Sequence, residues 1–205
     1  MVNLVPSPDK VMEILKETGA YLNGHFVYPS GKHAAHYFQM PLAFRYYDTA
    51  RVLAVGLSRL FRLEREISSR LPKISIISPS PGGIPVAFGV REALNADQIY
   101  WAELENGKRM FRQYVKAGEV YPCIIVDDII RSGRALRETV SLVQELGTEI
   151  IGCGSIVRFQ DAPKEIAGVP VKSLVEFDVD FYDTFEDLQK AEGVSADAVE
   201  DRVRF

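Results

Sequence analysis

Asp127 and Asp128 stand side by side after the apolar run Cys123-Ile124-Ile125-Val126, and two more apolar residues, Ile129 and Ile130, follow them. Adjacent carboxylates repel one another, so their place on a hydrophobic strand calls for a partner. Ionised carboxylates are pure acceptors, and a vicinal diol such as the 2′ and 3′ hydroxyls of a ribose supplies two adjacent donors. The next five residues, Arg131-Ser132-Gly133-Arg134-Ala135, form a turn that opens a helical pattern. Backbone N–H groups and a positive helix end there would face an anion, and a 5′-phosphate on the same sugar suits them. A plainer alternative stays open, in which the acids merely terminate the strand and Ser132 caps the helix.

Ser80-Pro81-Gly82-Gly83 lies beyond a second apolar run, Ile74 to Ser78. Proline stiffens such a turn and glycine lets backbone approach a ligand closely, which suits a diphosphate. An unliganded proline-glycine turn is the alternative. Between two strand patterns, residues 105–119 carry Lys108, Arg109, Arg112 and Lys116 among few acids. Taken by themselves these residues fit a solvated β-hairpin. His33 and His36 could each bond a ligand, although satisfied histidines are commoner, and His25 reads as structural.

The elements that must carry these residues follow from hydrophobic spacing. Val11, Met12, Ile14 and Leu15 share a face of a helix over 9–18, with Asp9 as cap. Residues 25–39 read as two extended pieces around Pro29-Ser30-Gly31, and one amphipathic helix is expected from Asp48 to about Leu71. The chain then alternates: a strand at 74–78, a helix from Gly82 to Leu94, strands at 98–104 and 123–130, a helix ending at Gly147, and a strand at 149–157. Strands that are nearly all apolar and alternate with helices indicate a parallel twisted sheet flanked by helices, an α/β architecture. Ligands of such sheets bind beyond the C-terminal strand ends, where the acidic pair and the glycine turn both lie. From about Asp178 the tail is acidic, with one or two short helical patterns.

The 205 residues are 47% hydrophobic, enough for one principal core, and the net charge of −4 argues against a nucleic-acid partner. Cys123 and Cys153 lie in apolar runs and match neither a disulfide framework nor zinc-ligand spacing, so no protein metal site is expected. Without a membrane-length apolar run or a signal-like start, the sequence reads as cytoplasmic, with no membrane partner.

Several segments, in order, resemble the orotate branch of the type I phosphoribosyltransferases: ETGAYLNGHFVYPSGKHAAHYFQ (17–39), PGGIPVAFGV (81–90), WAELENGK (101–108) and DDIIRSGRALRE (127–138). The similarity spans about residues 11 to 158. It implies the type I phosphoribosyltransferase fold, with an N-terminal hood and base-binding segment over 1–45, a core over 46–177 and a tail over 178–205. It also implies transfer from phosphoribosyl pyrophosphate (PRPP) to orotate, with Mg2+ bound mainly through PRPP. In that comparison Asp127 and Asp128 hold the ribose, Arg131, Ser132, Gly133, Arg134 and Ala135 wrap the 5′-phosphate, and Ser80, Pro81, Gly82 and Gly83 take the pyrophosphate. Lys108 and Arg109 belong to a mobile lid that works across a homodimer interface. Lys32, Tyr37, Phe38 and Arg158 fall in the base-binding region.

The resemblance has three departures. Arg131 and Arg134 replace small residues of the phosphate loop, and they either add bidentate phosphate contacts or fill the pocket. Leu104 stands where an arginine is common. Arg158 and Phe159 stand where the family has an Asp-Arg pair, and a one-residue shift along a strand reverses the side-chain face. Two further functions therefore remain: a non-catalytic homologue that binds PRPP or a nucleotide, and a phosphoribosyltransferase for a different base.

Overall fold

The computed structural model describes residues 5–112, 115–195 and, for the backbone, 200–202. Residues 113–114 of the basic stretch and parts of the tail lie outside the described residues. In chain order the elements are α1 (Pro8–Glu17), β1 (Tyr21–Val27), β2 (His33–Phe38), α2 (Pro41–Phe44), α3 (Tyr47–Arg62), α4 (Arg65–Arg70) and β3 (Ser75–Ser78). They continue as α5 (Ile84–Leu94), β4 (Gln98–Trp101), β5 (Glu103–Glu105), β6 (Lys108–Met110), β7 (Cys123–Ile130), α6 (Arg134–Glu145) and β8 (Ile150–Phe159). The last are β9 (Glu165–Ile166), β10 (Val169–Phe177), α7 (Phe185–Glu192) and β11 (Glu200–Arg202).

Six strands form the central sheet in the order β4-β3-β7-β8-β10-β9, parallel except for the short edge strand β9. From β3 the chain steps to β4 on one side and later returns to β7 on the other. Such a reversal opens a crevice between neighbouring strand ends. Ile76 and Ile77 of β3 sit in register with Ile124 and Ile125 of β7; Ile76 and Ile124 join a core with Leu57, Phe61, Val86 and Val90, while Ile77 and Ile125 join a second one with Leu136, Val140 and Val143. A second, three-stranded sheet has the order β11-β1-β2. β1 and β2 pair antiparallel, and a bridge from His33 to Tyr182 ties the hairpin to the segment before α7. β5 and β6 form a separate hairpin.

The α/β architecture and its core elements agree with the sequence pattern, with four differences. Ser7, not Asp9, caps α1: its hydroxyl accepts from the Lys10 N–H at 3.2 Å and Pro8 occupies the first turn. The helix expected over 48–71 is broken at Leu63–Glu64 into α3 and α4. Phe61 and Ile67 both press against the bare face of Gly152, and residues six apart cannot share one face of a continuous helix, so the break brings Ile67 back to it. The strand expected over 98–104 ends at Trp101 and Glu103 opens the separate β5–β6 hairpin, whereas β7 runs through Asp127 and Asp128 to Ile130 as expected. Finally, β10 and β11 have no counterpart in the sequence pattern. In β10, Pro170 and Lys172 interrupt the apolar run, and its burial does not alternate.

Candidate active site

The two loops singled out by sequence leave adjacent parallel strands at the same edge of the sheet. Together with the β1–β2 hairpin they enclose a cavity of about 620 Å³, lined by Tyr28, Tyr37 to Pro41, Ser80 to Gly82, Leu104, Arg109, Asp127 to Leu136, Glu138 and Phe159. Segments distant in the chain thus meet in one pocket, with the acidic pair on its floor.

Asp127 and Asp128 are 5% and 7% exposed. The Ser80 hydroxyl donates to Asp127 Oδ1 at 2.7 Å, the Asp128 N–H donates to the same oxygen at 3.1 Å, and the Ile129 N–H donates to Asp128 Oδ1 at 2.8 Å. Burial, and then the neighbouring Asp128 charge, hold the Asp127 carboxyl well above the usual aspartate range. Burial also raises Asp128, against the pull of its N–H donors and the Arg131 charge. Two desolvated acids with so few donors form a site short of hydrogen-bond donors and positive charge.

The Ser80–Gly83 turn sits directly on this pair. A Cβ on Gly82 would lie 2.7 Å from Asp128 Oδ2, and one on Gly83 would collide with Asp127 Oδ1 and with Ser78 Oγ at 2.7 Å. Gly82 lines the cavity, whereas Gly83 packs beneath it as the residue before α5. Gly133 adopts φ 73°, and a Cβ there would meet Pro163 Cδ at 2.5 Å, so the turn from β7 into α6 needs glycine on both counts. The helix beginning at Arg134 directs its first N–H groups toward the loop.

Arg109, on β6, reaches over the site. It donates to the Pro79 carbonyl and, at 3.1 Å, to Glu138. The same Glu138 accepts from Arg134 Nε at 2.6 Å, and its carboxyl is held low chiefly by Arg134. Residues 103–110 therefore form a β-hairpin that brings Arg109 to the cavity.

At the opposite end Tyr28, Tyr37, Phe38, Met40 and Phe159 make an aromatic and apolar wall. Burial pushes the Tyr28 phenol up to about 12, the Arg131 charge opposes it, and its hydroxyl donates to the His36 carbonyl at 3.0 Å.

Three cations expected near the ligand are placed elsewhere. Lys32 lies outside the cavity lining with its ammonium on Asp183. Lys108 is exposed on the hairpin, on the other side of the strand from Arg109. Arg158 is 1% exposed and turned away from the cavity: it pairs with Glu176 and donates to the Ala162 carbonyl at 3.2 Å. Its neighbour Phe159 takes the cavity face, the consequence of strand alternation. His33 and His36 are also outside the lining. His33 Nδ1 is 2.7 Å from buried His25 Nε2, whose ring stacks on Phe185, and His36 Nδ1 is 2.9 Å from the Tyr21 hydroxyl.

Sequence reasoning did not select Tyr28 or Glu138. Glu138 was discernible as the i+4 partner of Arg134 on a helix. Among the described residues no cluster of His, Cys, Asp or Glu is arranged to hold a metal ion, and no helix is long and apolar enough to cross a membrane.

A parallel sheet that brings an acidic strand, a glycine turn and a phosphate-type loop to one crevice defines the phosphoribosyltransferase class, and solved structures agree. Orotate phosphoribosyltransferase from Aeropyrum pernix superposes with a TM-score of 0.65 at 18% identity, covering 89% of this chain and 98% of that one. Adenine phosphoribosyltransferase from Thermoanaerobacter pseudethanolicus does so at 0.56 and 14% identity, covering 69% and 88%. No family model matches the sequence. Among curated proteins, orotate phosphoribosyltransferase of Thermotoga maritima is 31% identical over 175 residues, 84% of this chain and 88% of that protein. The chain belongs to the orotate phosphoribosyltransferase family.

Proposed function

We propose that the protein transfers the phosphoribosyl group of PRPP to orotate, giving orotidine 5′-monophosphate and pyrophosphate, in cytoplasmic pyrimidine nucleotide biosynthesis. One observation carries this: a buried acidic pair is flanked in a single cavity by two loops suited to anions and by an aromatic wall. Asp127 and Asp128 accept from the ribose hydroxyls, and the backbone of Arg131 to Ala135 surrounds the 5′-phosphate. Ser80 to Gly82 hold the diphosphate, with Gly83 permitting their approach. Tyr37, Phe38 and Phe159 stack on the base.

A bond forms between the base nitrogen and the anomeric carbon while the bond from that carbon to the pyrophosphate oxygen breaks, and the electron pair leaves with pyrophosphate. Charge grows on the leaving group, beneath Arg109, so stabilisation there lowers the barrier. Orientation supplies the rest, and no protein nucleophile is required. Asp127 and Asp128 are oxygen donors of the kind Mg2+ accepts, but two carboxylates fit an ion brought in mainly on the substrate oxygens better than a resident site. When bound, that ion neutralises diphosphate charge. A homodimer completes the proposal.

Leu104, 58% exposed at the cavity mouth, favours a second reading in which the protein binds PRPP or a nucleotide without turnover. The apolar Phe159 leaves room for a third, transfer to another base. Magnesium-dependent release of pyrophosphate from PRPP on addition of orotate tests the first. Well-folded protein that is inert with orotate but active with another base supports the third. Inertness across a panel of purines and pyrimidines, with nucleotide binding retained, leaves the second.

A further inference from the structure

An anionic base needs a cation beside the aromatic wall, and neither Lys32 nor Arg158 reaches the cavity. Ile130 and Arg158 are the last register partners of β7 and β8. Arg131, the first residue after β7, and Phe159, which ends β8 and still pairs with Phe177 of β10, follow these partners, and both line the cavity. The other two lining arginines, Arg109 and Arg134, are both bonded to Glu138 at the phosphate end.

Resting on the function proposed above, we propose that the Arg131 side chain is the specificity-determining group of this site: its guanidinium recognises the carboxylate of the base, while its backbone remains part of the phosphate loop. The planar fork of arginine suits a carboxylate held in the plane of a stacked ring. Its position spans the junction of the two subsites, because the Arg131 charge acts both on Asp128, at the ribose floor, and on Tyr28, in the aromatic wall. Phe159 then supplies a ring face where a second cation is absent from the described lining. Discrimination thus comes from the end of β7 and stacking from the end of β8.

Orotidine 5′-monophosphate and uridine 5′-monophosphate differ by that carboxylate alone, so titrating both by calorimetry isolates the contact from phosphate and ribose binding. The wild-type protein is expected to bind the orotidine nucleotide about 10- to 100-fold more tightly, the worth of a charge-assisted hydrogen-bonded pair. Arg131→Ala is expected to bring the two affinities within about threefold and to change the uridine nucleotide little. Should the alanine variant unfold, Arg131→Gln decides by the same ratio. Equal weakening of both nucleotides would assign the side chain to phosphate, and a ratio that survives substitution, or one absent from the wild type, would equally overturn the inference. If wild type shows the ratio but releases no pyrophosphate from PRPP with orotate, the proposed catalysis fails while the recognition by Arg131 stands.

Discussion

Gly82 and Asp128 stand so close that a single added carbon on the glycine would lie 2.7 Å from the carboxylate Oδ2. The contact joins the turn after β3 to the floor supplied by β7. Gly82→Ala must displace either the carboxylate or the turn. We expect kcat/KM for PRPP to fall about 100-fold, on the scale of a misplaced reacting group. Circular dichroism should stay native, because the clash is confined to the cavity; unchanged kinetics would remove the turn from the substrate site.

Neutralising Asp127 should separate binding from stability. Its folded carboxyl titrates above the unfolded value, so between the usual aspartate range and that raised value the folded state holds more protons. Stability of the unliganded protein therefore falls as pH rises through this window, and is fully present below it. Asp127→Asn keeps an acceptor for Ser80 and should be more stable than wild type at neutral pH. The variant should lose PRPP affinity at the same time. Urea melts at several pH values check the first claim, and calorimetry the second.

Glu138 holds Arg109 and Arg134 together at 3.1 and 2.6 Å. Glu138→Gln weakens both charge-assisted bonds and leaves Arg109 less fixed over the leaving group. kcat should drop about 10-fold or more, with the KM for orotate unaffected, since the contact lies at the phosphate end. A change confined to the KM for orotate would contradict this placement.

Lys32→Ala offers a contrast. Because the ammonium pairs with exposed Asp183 outside the cavity, orotate affinity should shift by less than about threefold, as for an exposed ion pair. A large loss would show that the lysine leaves Asp183 to meet the ligand.

Arg158 and Glu176 test the face reversal at the end of β8. Glu176→Ala takes the exposed counter-charge from a buried guanidinium that keeps its bond to the Ala162 carbonyl, and should cost more than Arg158→Met, which removes the buried charge itself. Equal losses in urea unfolding would argue against a buried charge as the cause.

The sequence pattern revealed the parallel sheet because β3, β7 and β8 are buried along their whole length and carry almost unbroken apolar runs. The acidic pair and both glycine turns were legible because their residue types oppose their surroundings: charge inside apolar runs, and glycine where backbone crosses a carboxylate. What escaped depends on tertiary contacts. The split at Leu63–Glu64 answers to Gly152 on a strand far along the chain. β10 owes its strand state to pairing with β8 rather than to its own alternation. The side of β8 taken by Arg158 follows from the parity of a register that no local signal reveals, so its pairing with Glu176 was not legible.

Cys123 and Cys153 lie fully within the sheet, both without a disulfide, and burial raises the Cys123 thiol and pushes Cys153 up to about 12. Neither presents a thiolate to solvent at neutral pH. A reporter dye could thus be attached through one cysteine engineered at Leu104, on the rim of the cavity, with no native sulfur competing for the maleimide, so that ligand entry is read by fluorescence.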